Sequence, residues 1–86
     1  MRISESVTQE WTLASVPAGQ AIEVLEVGSE RPEQLLVHGI RPGARLVVEL
    51  DAPLGGPRIV RLGRSRVAVD RRLAADVRVA RVVGER

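Results

Sequence analysis

Between Arg45 and Asp51 the chain alternates, with Leu46, Val48 and Leu50 on one side of an extended backbone and Arg45, Glu49 and Asp51 on the other. Successive side chains of a strand point to opposite faces, so the alternation predicts a half-buried strand with the three apolar residues inward. A second strand is expected over Gln20 to Val27. Ile22 and Val24 alternate with Glu23 and then the phase slips at Leu25 and Glu26, which predicts a bulge or a strong bend. Three shorter strands follow at Arg58 to Leu62, at Arg66 to Asp70 with Val67 and Val69 inward, and at Val77 to about Val83.

Breakers separate these runs: Pro17 and Gly19, Gly28 to Pro32, Pro42 and Gly43, Pro53 to Pro57, and Gly63. Their spacing of about 8–12 residues is that of a small antiparallel barrel or sandwich of five to six strands. Gly63 is placed to make a tight reversal between the third and fourth strands. Only two segments read as helix. Arg31 to His38 has Pro32 as its first helical residue, Glu33 near the positive end, Leu35 and Leu36 as apolar positions, and Gly39 to stop it. Asp70 to Asp76 has Asp70 as N-cap and Leu73, Ala74 and Ala75 behind it. The expected fold class is mainly β with one or two short helices, and the ends, Met1 to Gln9 and Gly84 to Arg86, are expected to fray.

At 86 residues there is room for one domain and a modest core. The absence of cysteine removes disulfides, thiolate metal sites and cysteine nucleophiles, and fits a cytoplasmic location. No secretion signal or membrane span is expected, since the apolar runs are far shorter than the ~20 residues a spanning helix needs. The core must be aliphatic, because Trp11 is the sole aromatic residue. All 13 basic residues are Arg, and they are unevenly placed: residues 1–57 hold four Arg against eight acids, residues 58–86 nine against three. Such asymmetry hints at a polarised surface and an acidic partner.

Catalysis calls for a nucleophile with a base, two acids of separated pKa, or a metal. His38 is the sole histidine and falls at the end of the first helix, and Ser4, Ser6, Ser15, Ser29 and Ser65 sit in no motif. No enzyme is expected. A metal site would draw on Glu23, Glu26, Glu30, Glu33, His38 or Asp51, an oxygen-rich set that holds Fe2+ or Mn2+ weakly. Glu30, Glu33 and His38 lie closest together and are the candidate ligands, with no cofactor required. Arg58, Arg61, Arg64, Arg66, Arg71, Arg72, Arg78 and Arg81 suit phosphate forks. Nucleic acid is nevertheless not expected, because single-strand binders stack bases on aromatic side chains and duplex readers need a longer helix. A groove for proline-rich peptides is likewise aromatic-lined. The run Ala52 to Pro57 (APLGGP) lacks the Lys and Ser/Thr of a phosphate loop and reads as a turn.

The order of these elements resembles the FeoA family. Thr12 to Val24 (TLASVPAGQAIEV), Leu35 to Val48 (LLVHGIRPGARLVV), Asp51 to Leu62 (DAPLGGPRIVRL) and Val67 to Val79 (VAVDRRLAADVRV) carry the resemblance, and Gly39 to Gly43 followed by an alternating strand is its most specific part. It covers about Thr12 to Val83, leaving 1–11 and 84–86 as flexible ends. The resemblance implies a small SH3-like antiparallel β-barrel, found either as a free protein accompanying the ferrous iron transporter or as the C-terminal domain of repressors similar to the diphtheria toxin repressor. In those repressors the segment before the helix can contribute to an ancillary metal site. The matching positions here are Gly28 and Arg31, and neither offers a side-chain ligand for a cation. With no winged-helix region before the barrel, a complete repressor is not expected.

The resulting expectation is a non-enzymatic adaptor that docks onto the cytosolic GTP-binding domain of the transporter and meets the membrane only through it. Exposure and charge select Glu33, Gln34, Val37, His38 and Arg41, with Arg58 and Arg61 from the late strands, as the partner-binding residues. A detached regulatory barrel that binds metal or a proline-containing segment of a DNA-binding partner is the alternative, and a basic RNA-binding barrel a third. Exposed strand edges also make a homodimer reasonable.

Overall fold

A computed structural model of the chain describes residues 10–28 and 32–82. The order of elements is β1 (Glu10–Thr12), β2 (Ala21–Val27), α1 (Glu33–Leu36), β3 (Arg45–Asp51), β4 (Arg58–Leu62), β5 (Ser65–Val69), α2 (Arg71–Ala74) and β6 (Val77–Arg81). The strands form one antiparallel sheet in the order β1-β6-β2-β3-β4-β5, a small SH3-like arrangement. Its interior is aliphatic: Ile22, Val24, Leu46, Val48, Val60, Val69, Val77 and Val79 from the strands meet Leu13, Val16, Leu35, Ile40 and Ala74 from the connections and helices. Among the described residues, no helix is long and apolar enough to cross a membrane.

β3 and β4 have the bounds expected from alternation. In β2 the register with β6 shifts between Val24 and Glu26, at the predicted slip, and Leu25 turns outward. A second shift lies in β3 between Val48 and Leu50, and it overturns one expectation. Beyond this bulge the faces exchange, so that Leu50 is 52% exposed and does not join Leu46 and Val48 in the core. The barrel also starts earlier than Thr12: Glu10 and Trp11 belong to β1 and pair with Ala80 and Val79 of β6. Three residues with mixed polarity carry too little pattern to be read as a strand. The other end residues expected to fray, Met1 to Gln9 and Gly84 to Arg86, lie outside the described residues.

The turns follow from backbone chemistry. After α1, the amide of Gly39 donates to Leu36 O (2.9 Å) and that of Ile40 to Leu35 O (3.0 Å), the paired bonds of a Schellman ending. That ending needs a left-handed residue, and Gly39 has φ +85°. Ile40, the next residue, is fully buried together with Leu35, so the turn also delivers the chain into the core. Asp70 caps α2, accepting from the amide of Arg72 at 2.8 Å.

Antiparallel pairing also resolves the uneven charge. Arg78 of β6 lies between Glu10 of β1 and Glu26 of β2. Glu49 of β3 takes Arg61 of β4 at 3.4 Å and Arg66 of β5 at 2.8 Å. Asp51 takes Arg58 and Arg71 at 2.6 and 3.0 Å. Four acids of the first half thus face five arginines of the second, while Arg64, Arg72 and Arg81 have no ion-pair partner among the described residues.

Candidate functional site

An exposed apolar feature lies at the end of α1. Leu35 is buried, but Leu36 is 48% and Val37 76% exposed. Beside them runs a groove of about 340 Å³ walled by Gln34, Leu35, Val37 and His38 on one side and by Val67, Val69 and Leu73 of β5 and α2 on the other. Ala68 and Asp70 line this groove and also a second hollow bounded by Gly55, Gly56 and Pro57, so the β3–β4 loop adjoins the same side of the molecule.

The residues selected from sequence fall into three groups. Gln34, Val37 and His38 share the groove wall. Glu33 and Arg41 are exposed on α1 and in the turn that follows it, and Arg61 is exposed on β4, where Glu49 holds it. Arg58 is the correction. It is 4% exposed and points inward beside Val60, so it is not a contact residue. Its Nε donates to Asp51 Oδ1 (2.6 Å), and its Nη1 donates to the carbonyls of Leu13 (2.9 Å) and Val16 (2.7 Å), tying the β1–β2 connection to β4. Period-two alternation carried the signal: Arg61 faces out, so Arg58, three residues earlier, faces in with Val60.

Sequence reasoning also passed over Leu54. Within the β3–β4 loop, Gly56 N donates to Pro53 O (3.1 Å), closing a turn whose central residues, Leu54 (φ +59°) and Gly55 (φ +74°), are both left-handed. Positive φ at both central positions is the type I′ pattern, which favours Asn, Asp or Gly at the first of them. Here a leucine occupies it with its side chain fully exposed.

The FeoA domain model matches residues 11–81. The chain belongs to the FeoA family. Among solved structures, a FeoA iron uptake regulatory protein is 27% identical with a TM-score of 0.77, over 86% of this chain and 99% of its own. The FeoA protein from Chlorobium tepidum is 29% identical with a TM-score of 0.78, over 88% and 74%. A manganese-dependent transcriptional repressor, 18% identical with a TM-score of 0.76 over 90% of this chain and 44% of its own, shares the fold. No curated protein sequence matches. FeoA domains are an accessory, non-enzymatic family in the context of iron transport.

The candidate metal ligands named from the sequence are only partly described in this FeoA chain. Glu30 and Arg31 lie outside the described residues. Glu33 opens α1, whereas His38 lies beyond its end, in the turn before Gly39. Among the described residues, no three His, Asp or Glu side chains gather closely enough to hold an ion.

Proposed function

We propose that this FeoA protein is an adaptor of ferrous iron transport that docks onto the cytosolic GTP-binding domain of the transporter. The observation that carries the reading is the solvent-facing apolar end of α1, Leu36 and Val37, beside an open apolar groove. Large aliphatic side chains on a helix end are more often covered by the fold, and contiguous ones left in water mark contact surfaces. Gln34, His38, Glu33 and Arg41 supply a polar rim, and Leu54 offers a second apolar point on the adjoining loop. No group in the site is set up to make or break bonds, so action through contact is the chemistry available.

Calorimetric titration with the GTP-binding domain, with and without nucleotide, tests the reading. Saturable binding that disappears in Val37→Asp supports it, since Val37 is exposed and its replacement leaves the core intact. Absence of heat in both nucleotide states overturns it. A parallel titration with Fe2+ and Mn2+ addresses the detached metal-regulatory alternative, for which tight binding lost on replacing Glu30, Glu33 or His38 is the requirement.

A further inference from the structure

Strand β5 is an outer edge of the sheet and pairs with β4 alone. The loop between them is two residues long, Gly63 and Arg64, with Gly63 at φ +62° and Leu62 opposite Ser65. In such a turn the flanking residues are joined by hydrogen bonds. Bonded and non-bonded pairs then alternate along the ladder, so Ser65, Val67 and Val69 direct their backbone groups to β4. Those of Arg66 and Ala68 point away from the sheet, and no described backbone group meets them. The edge carries neither a bulge nor a proline, two of the devices that blunt open edges.

We propose that β5 pairs antiparallel with β5 of a second copy of this chain, about a two-fold axis through Val67. An antiparallel register must set outward-facing groups against outward-facing groups, which confines the axis to a residue and excludes the positions between residues. Centred on Val67, Arg66 lies opposite Ala68 of the second copy and all five residues of β5 are paired. The same register sets Arg64 opposite Asp70 of the second copy, and Asp70 opposite Arg64. Both side chains are exposed, and neither has an ion-pair partner among the described residues. Asp70 spends Oδ1 on the α2 cap and has Oδ2 to offer. An axis through Arg66 would set that arginine against itself, and one through Ala68 would separate Arg64 from Asp70 and shorten the ladder. The edge is thus self-complementary in hydrogen bonds and in charge in one register.

The pairing borders the groove. Val67 is half-buried on its wall and becomes a non-bonded pair with Val67 of the second copy, the arrangement in which facing side chains approach most closely. The interface is small beside the roughly 1,200–2,000 Å² of stable complexes, so the dimer is concentration-dependent.

Sedimentation equilibrium on the protein alone, over a series of concentrations, reads this without any transporter component, so its outcome is independent of the adaptor reading. Wild type is expected to shift from monomer to dimer. Ala68→Pro removes an outward N–H that the fold does not use and is expected to remain monomeric. Arg64→Glu and Asp70→Asn, the latter retaining the helix cap, each remove both symmetric pairs and are expected to weaken association by about 2- to 30-fold. Amide exchange at Arg66 and Ala68 slows with concentration in the wild type. A wild-type monomer throughout overturns the proposal, as does a dimer that Ala68→Pro and Arg64→Glu, both with native circular dichroism, leave unchanged. Should Ala68→Pro fail to fold, Arg64→Glu in the exposed turn decides the question.

Discussion

Arg58 Nε and Asp51 Oδ1 meet at 2.6 Å across the paired ends of β4 and β3, with the guanidinium buried and the carboxylate at the rim. The same guanidinium satisfies the carbonyls of Leu13 and Val16, so one side chain holds the connection that leads from β1 into β2. Arg58→Ala strips both carbonyls of their donor, leaves Asp51 with Arg71 alone, and is expected to lower stability by on the order of 3 kcal/mol, read from urea midpoints. Arg58→Lys keeps the charge but has no planar fork, so most of the loss persists in that variant.

The acid limb of stability should depend on Asp51. The hydrogen bond from Arg58, with the charges of Arg58 and Arg71, holds its carboxyl below the ordinary value, against a smaller opposing effect of burial. A carboxyl lowered in the folded state contributes stability that is present above its unfolded pKa of about 3.9 and is lost as pH falls through the lower folded value. Denaturation midpoints followed downward from about pH 5 are expected to drop in the wild type more steeply than in Asp51→Asn. Equal slopes would show that the ion pair does not couple to folding.

Much of this fold is legible in the sequence because its turns demand particular residues. Gly39, Gly63 and Asp70 do at their positions what their chemistry predicts, and strands limited by them need few guesses. Leu50 and Arg58 depart from expectation for opposite reasons. Extending the alternation of β3 carries Leu50 inward through a bulge that only pairing with β4 reveals, whereas for Arg58 the expectation that charge faces water overrides an alternation that sets it inward beside Val60. The exposure of Gln34, Val37 and His38 is legible at α1, a short helix that Gly39 ends. Leu54 is not, because its significance rests on a positive φ that a leucine gives no reason to expect.

Gly39→Ala tests the turn that connects α1 to the core. A Cβ there must adopt φ near +85° and would lie 3.1 Å from Leu62 Cδ2. The left-handed conformation alone disfavours alanine by about 1–2 kcal/mol. Chemical denaturation should show at least that loss. Because the Schellman ending orients Val37 and His38, binding to the transporter domain is expected to weaken in step.

Leu54 separates stability from function in a single residue. Holding a leucine at φ +59° is unfavourable, while the exposed side chain contributes no burial to the folded monomer. Strain of this kind persists where the surrounding structure imposes it and clusters at functional positions, and contact with a partner is the service an exposed leucine can give. Leu54→Asn places at this turn position a residue that tolerates the left-handed region, and should raise stability by up to about 1 kcal/mol. The same variant is expected to bind the GTP-binding domain more weakly, because the apolar tip has gone. Opposite movement of the two quantities assigns the loop to the docking face alongside Val37. A gain in stability with unaltered binding would confine that face to α1 and its groove, and leave Leu54 as strain without a role in docking.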